Sequence, residues 1–309
     1  MRPIGIKKQK RRQSIKLFLL IVPFLVLTLL FAYYPLYGWV YSLYDYRPPL
    51  TLAQSEFVGF KWFRYLFQSK GQINQLLQVL KNTFIMSGLN IATSILPLIF
   101  AIMLNEIKSK KFKSIVQTLT TLPNFIGWVL VYSVAFALFS TTGMMNSILM
   151  DLNIITEPIK ILDSGDYTYF KMLAWSLWKG LGWGAILYLA AIAGTDQELY
   201  EAARVDGAHR FHLMRHITLP ALLPTFFVLL MLSVANFLNN GMDQYFVFQN
   251  AFNRDKIQVL DLYVYNLGLG SNNSIPLATA ISILKSVVSV TLLIVVNTLS
   301  KRVRGRSIV

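Results

Sequence analysis

The sequence predicts an all-α, polytopic membrane protein with six transmembrane helices, and three observations predict it. Of 309 residues, 55% are hydrophobic and only 14% charged, whereas a soluble domain carries about 25% charged residues. The apolar residues gather into separate runs, each long enough for a hydrocarbon core that takes about 20 residues of helix. An aromatic content of 14% suits a chain whose Trp and Tyr collect at the two membrane–water interfaces. Cysteine is absent, so disulfides and thiolate metal sites do not enter.

The runs lie at 17–43, 82–105, 114–139, 170–193, 221–240 and 276–300. Before the first stands a basic stretch from Lys7 to Lys16, as in a signal peptide. The run is too long for a signal core and no small-residue cleavage site follows, so it reads as a retained first span. Residues 1–16 and 301–309 form basic tails, and 44–81 form an outside loop. In that loop Phe60, Phe63 and Phe67 recur at helical spacing with Lys61 and Arg64 between them, the pattern of a helix lying on the membrane surface. Residues 82–300 make a five-helix core that includes the loop 194–220. Pro23, Pro97 and Pro123 fall inside spans, where membrane helices tolerate them.

Charge placement orients the bundle. With both termini inside, the inside segments hold 18 Lys/Arg against 5 acids, and the outside loops 9 against 9, Lys171 being counted with its loop. That asymmetry is the positive-inside rule, with both termini cytoplasmic. It accounts for the net charge of +15 without invoking nucleic acid. Two lysines, Lys179 and Lys285, stay within spans. Lys179 lies about 13 Å deep at about 1.5 Å per residue. A cation there needs a partner. No carboxylate in this chain's spans offers one, which leaves an acid on a neighbouring subunit or an anionic group on the cargo.

The longest inside loop reads GTDQELYEAARVDGAHRFHLMRHITLP. Thr195 and Glu198 make a capping box, so a helix is predicted to start there. Leu199, Ala202 and Ala203 give it a small apolar face. Asp206-Gly207 stops it, since Gly accepts the left-handed conformation of a helix end. A second short helix follows, and Pro220 opens the fifth span where proline costs little. The product is a helical hairpin on the inside face.

This loop resembles the EAA loop of binding-protein-dependent ABC importers: EAA, three residues, Gly, nine residues, then I-x-L-P. Here Glu201-Ala202-Ala203, Gly207, Ile217, Leu219 and Pro220 keep every spacing. A match at so many spaced positions is specific. YEAARVDGA followed by ITLP is similar to the carbohydrate branch, with the maltose-type large permease subunit as reference. YYPLYG and VGFKWFRYLF resemble permeases for polysaccharide fragments. The resemblance implies a type I ABC importer permease fold in the bacterial inner membrane. It implies that Glu201, Ala202, Ala203, Asp206 and Gly207 couple to a separate cytoplasmic ATPase. The partners implied are a second similar permease, a paired or homodimeric ATPase, an extracytoplasmic sugar-binding protein, membrane lipid and an oligosaccharide. ATP and Mg belong to the ATPase, and this chain carries no cofactor or metal.

Counting from LPN in the third span and from the EAA and ITLP anchors, the resemblance points to pocket positions Asn124, Ser176, Lys179, Gly180, Ser233, Phe237 and Asn240. Gly180, Ser233 and Asn240 keep the expected type, Asn124 and Ser176 are polar substitutes, and Phe237 and Lys179 depart from it. Small polar residues also pack helices together, which is the competing explanation. Trp175, Trp178 and Trp183 can stack on sugar rings or anchor at an interface.

Other classes fit less well. A secondary transporter uses intramembrane carboxylates, yet all 14 acids lie in loops or at span ends. A membrane enzyme needs paired carboxylates or a nucleophile with its base, and none is visible. His209, His212 and His216 share a helical face without an acid or thiol to complete a zinc set. The glycines of GLGWG lack the Lys-Ser/Thr of a phosphate-binding loop. A permease for a non-sugar solute stays open as an alternative.

Overall fold

The computed structural model describes residues 4–68, 70–270 and 273–304. Its helices are α1 (Ile4–Thr28), α2 (Lys61–Tyr65), α3 (Lys70–Ala92), α4 (Ile95–Asn105), α5 (Lys110–Thr121), α6 (Trp128–Phe139), α7 (Met144–Asp151), α8 (Thr168–Ala193), α9 (Gln197–Val205), α10 (Arg210–Leu213), α11 (Leu219–Ala235), α12 (Asp243–Phe248), α13 (Arg254–Ile257), α14 (Leu260–Leu269) and α15 (Ile275–Arg304). Among the described residues the one extended pairing is a single bridge, Tyr44 to Phe57. Among the described residues, six helical runs are long and apolar enough to span a membrane: Ser14–Leu43, Lys70–Asn105, Trp128–Asp151, Thr168–Ala193, Arg210–Ala235 and Ile275–Arg302. Part of each basic tail, residues 1–3 and 305–309, lies outside the described residues.

The chain divides into two compact units, one comprising Met1–Leu66 with Leu267–Ile283, the other Phe67–Asn266 with Leu284–Val309. In the first unit, α1 exposes Leu20, Phe24 and Leu27 along its length. Acyl chains are as apolar as these side chains, so such a surface suits a lipid-facing helix. Helix α1 runs on through a wide turn (Leu29–Tyr33) into a tight 3₁₀ stretch (Tyr34–Leu43) that Pro35 helps to open. The surface helix expected around Phe60 is short: α2 has five residues. It is tied to its own loop, with Lys61 paired to Asp45 at 3.1 Å and the Trp62 indole N–H donating to the Tyr44 carbonyl at 2.9 Å.

Two apolar cores lie among the described residues of the second unit. One gathers Met86, Val131, Met172, Tyr245, Phe248 and Leu262. The other packs Leu98, Ala101, Ala185, Tyr188 and Leu222 between α4, α8 and α11. Two glycines of GLGWG explain how closely α8 approaches its neighbours. A Cβ on Gly182 would sit 2.3 Å from the Thr120 carbonyl oxygen, and one on Gly184 3.2 Å from the Pro97 ring. Small residues of this kind let membrane helices meet backbone to backbone.

Three spans differ from the sequence-based limits, each for a local reason. The second begins at Lys70, because polar residues of α3 are buried in the protein. Asn82 donates to the carbonyls of Asp255 and Gln258 at 2.8 and 3.0 Å and accepts from the Tyr169 hydroxyl at 2.7 Å. Thr83 accepts from the Leu260 N–H at 2.9 Å. The third run, read as continuous over 114–139, is broken into α5, a 3₁₀ turn (Leu122–Phe125) and α6. Pro123 lacks the N–H that would continue the ladder, and Gly127 takes the extended N-cap position of α6. The fifth ends at Ala235, with Gly241 (φ +75°) in the left-handed region beyond it.

Candidate functional site

The hairpin at 194–220 forms as two elements with well-defined ends. The N-cap of α9 is Asp196, whose carboxylate accepts the Glu198 N–H at 3.0 Å. The capping box expected at Thr195 does not form, and the N-cap lies one residue later. The Thr195 hydroxyl donates instead to the Ala191 carbonyl at 3.2 Å, keeping Thr195 with the last turn of α8. At the other end Gly207 adopts φ +78°. The Ala208 N–H reaches back to the Ala203 carbonyl (2.9 Å) and the Gly207 N–H to that of Arg204 (3.1 Å). This pair of bonds is the Schellman arrangement, which a Gly at that position favours.

Helix α9 has two faces. Tyr200 is buried, and its hydroxyl shares a 3.0 Å hydrogen bond with Thr218, fastening α9 to the start of the fifth span. Glu201, Ala202 and Asp206 face outward with Leu199 (54% exposed) and Val205 (88% exposed). Ala203 is half-buried. Exposed apolar side chains thus stand beside a carboxylate on this face. The second short helix does not stop before Pro220. α10 passes through a wide turn (Met214–Thr218) into α11, with the Leu219 N–H bonded to the Met214 carbonyl. A five-residue spacing just ahead of Pro220 accommodates its missing N–H. His212 and His216 stack with ring centroids 6.0 Å apart.

The pocket candidates fall into two groups. On α8, Trp175 packs edge-on against Phe139 and Trp178 and at a tilt against Phe248, with centroids 5.7 to 6.0 Å away. Trp175 and Trp178 also border a cavity of about 310 Å³ with Phe139, Leu162 and Lys171. Ser176 is half-buried. Gly180 faces open space, with no atom within 4 Å of where a Cβ would stand. Lys179 finds its partners inside the chain. Its ammonium donates to the carbonyls of Asn124 (2.7 Å) and Pro123 (3.2 Å) and lies 5.5 Å from the Trp128 ring centre. The break after α5 turns the Asn124 carbonyl toward the ammonium, while the Pro123 carbonyl is shared with the Ile126 N–H (3.2 Å); both acceptors are neutral. Trp183 packs edge-on against Phe125.

The second group sits at the end of α11. The Ser233 hydroxyl is exposed and bonds back to the Leu229 carbonyl at 2.9 Å. Phe237 packs against Phe84, and its carbonyl accepts from Ser87. The Asn240 amide donates to the Ser87 hydroxyl at 3.0 Å. Next to it the Gly241 N–H donates to Asp261 at 2.9 Å, and Asp261 forms an ion pair with Lys285 of α15. Ser87, Asp261 and Lys285 were not among the sequence candidates. A lysine inside a span with one acid 24 residues before it is the signal that could have found the pair.

A hairpin with this wording and geometry, carried on six apolar helices, marks the membrane-spanning component of an ATP-driven importer. The chain belongs to the family of binding-protein-dependent transport system inner membrane components, which it matches over residues 93–305. It is a multi-pass protein of the inner membrane. It is 38% identical over 288 residues to Protein LplB of Bacillus subtilis, covering 93% of this chain and 88% of that one. It is 36% identical over 305 residues to the polygalacturonan/rhamnogalacturonan transport system permease protein YteP of the same organism, covering 96% and 93%. Its fold superposes on a chain of a bacterial alginate ABC transporter, crystallised in complex with an alginate pentasaccharide-bound periplasmic protein. The TM-score is 0.82 at 30% identity, with 97% of this chain and 98% of that chain covered.

Proposed function

We propose that this chain is one of two permease subunits lining the translocation pathway of an importer for oligosaccharides, the cargo being fragments of acidic polysaccharides. The observation that carries this reading is the near end-to-end likeness to the alginate transporter chain. The polygalacturonan-named relative supports the same class of cargo. Both termini and the α9 hairpin lie on the cytoplasmic side, following the Lys/Arg excess. α9 docks on a separate ATPase pair through Glu201, Ala202, Ala203, Asp206 and Gly207, with Glu201 available for a charge-assisted bond across the interface. The subunit is non-catalytic, and ATP and Mg are held by the ATPase.

In this mechanism, ATP-driven closure of the ATPase pair draws the α9 hairpins of the two permeases together. Tyr200 and Thr218 transmit that movement to α11. The bundle exchanges an inward-facing packing for an outward-facing one, a population shift driven by the preference of ATP for one state. An extracytoplasmic binding protein then delivers sugar into the cavity. Asn124, Trp175, Ser176, Lys179, Gly180, Ser233, Phe237 and Asn240 border its path. The Lys179 ammonium holds the Pro123–Asn124 turn in place beside it.

The test is ATP-driven uptake in proteoliposomes holding the complete complex and loaded binding protein. Oligogalacturonate and a neutral glucose trisaccharide are compared. Uptake of the uronate oligomer, in excess of the neutral one, is expected. Uptake of the neutral sugar alone would remove the acidic assignment, and uptake of neither would remove the sugar assignment.

A further inference from the structure

Behind α9, on the face turned away from Leu199 and Val205, lies a cavity of about 780 Å³. Its floor is apolar, formed by Ile107, Leu189, Ile192 and Leu213 where α4 and α8 end. Its rim carries Lys108, Lys113, Arg204, Arg210 and His209, with Glu106 as the sole carboxylate in the lining. Lys113 donates to Asn105 at 3.2 Å. Among the described residues, none of these cations takes part in an ion pair. Four permanent positive charges around one acid, none of them neutralised by a neighbour, set up a field that draws an anion.

We propose that this cavity is a site for a phosphate ester anion, supplied by an anionic phospholipid of the inner leaflet. The lipid source follows from the lining. A free phosphate would need only the rim, whereas an apolar floor next to a cationic rim matches a headgroup joined to its glycerol and upper acyl carbons. Basic pockets at the inner ends of membrane helices hold anionic headgroups in this way. The volume falls within the range of about 300–1,000 Å³ that encloses a ligand of moderate size. Gln197, Tyr200 and Arg204 of α9 line the cavity. A bound headgroup therefore ties α9 to the α4–α5 connection from behind, leaving the outward face free for the ATPase. The inference rests on the cytoplasmic placement of the hairpin proposed above and adds a ligand to it.

The purified transporter complex is reconstituted in nanodiscs of phosphatidylcholine with or without phosphatidylglycerol. Lipid retention is read by native mass spectrometry and coupling by sugar-stimulated ATP hydrolysis. Retention of phosphatidylglycerol over phosphatidylcholine is expected in the unmodified complex. Lys108→Gln with Arg210→Gln should weaken it on the order of 25-fold, at roughly fivefold per cation removed near the surface. Lys108→Arg should retain it. Equal retention in the unmodified complex and the double variant overturns the site. Inorganic phosphate raising coupling as well as phosphatidylglycerol does, without selective lipid retention, overturns the lipid source. Sugar-stimulated hydrolysis in the unmodified complex reports on the transporter reading independently, so the failure of either is recognisable alone.

Discussion

Removing the charge of Asp261 isolates the ion pair that braces the end of α11. In the folded protein Asp261 and Lys285 keep only 18% and 16% of their side chains accessible, so neither is well solvated. Breaking a buried pair by neutralising one member costs about 3–5 kcal/mol, chiefly because the remaining charge is left without a counter-ion. Residual access to solvent places Asp261→Asn at the lower end, about 3 kcal/mol. For a folded unit of about 150–250 residues each 1 kcal/mol moves Tm by roughly 2–4 °C, giving a loss of about 6–12 °C. Asparagine still accepts the Gly241 N–H, so Asp261→Ala should lose about 1 kcal/mol more. The assay is thermal unfolding of the purified complex, followed by intrinsic tryptophan fluorescence. Asp261→Asn combined with Lys285→Gln removes both charges and should recover most of the lost Tm. A double variant no more stable than Asp261→Asn alone, or a single variant within about 2 °C of the unmodified protein, would refute the pairing argument.

Further outcomes follow from the same geometry. Gly182→Leu should prevent α8 from meeting α5 and abolish assembly, while Gly180→Ala, which faces open space, should assemble normally; co-purification of the partner subunits reads both. Lys179→Met removes the two carbonyl bonds that hold the Pro123–Asn124 turn, so uptake of acidic and neutral oligosaccharides should fall together; a loss confined to the acidic sugar would assign Lys179 to cargo instead. Tyr200→Phe should lower stability by about 1 kcal/mol through the bond to Thr218, measured by the same unfolding assay. The isolated chain should show no saturable ATP binding in a filter or calorimetric assay, since it lacks a phosphate-binding loop.

The six-span architecture was legible because apolar length is written directly in the sequence, and the hairpin because its caps are local. Gly207 announced a helix stop, and its φ of +78° is one. What was not legible depended on backbone groups. Pro123 read as a tolerated proline within a span. In the fold it ends α5 in a 3₁₀ turn whose Pro123 and Asn124 carbonyls accept from Lys179. The side-chain pattern holds no trace of a carbonyl made available that way. The shift of the N-cap from Thr195 to Asp196 is a choice between adjacent capping residues, of which Asp is the stronger. Asp261 was assigned to an outside loop by its polarity, which hid its pairing with Lys285 of α15. Gly182 and Gly184 were read only as part of an absent phosphate cradle, although they are the points where α8 meets α5 and α4.

The claim at the centre is that α9 passes the work of a separate ATPase to this subunit through its outward face. Glu201→Ala tests it most directly, because the residue is exposed and lies outside the spans, so insertion and folding are left intact. ATP-driven sugar uptake is measured in proteoliposomes containing the full complex with and without the substitution. Loss of uptake and of sugar-stimulated ATP hydrolysis, with normal amounts of inserted subunit, is the expected result. Uptake and stimulation at the unmodified level would contradict the account.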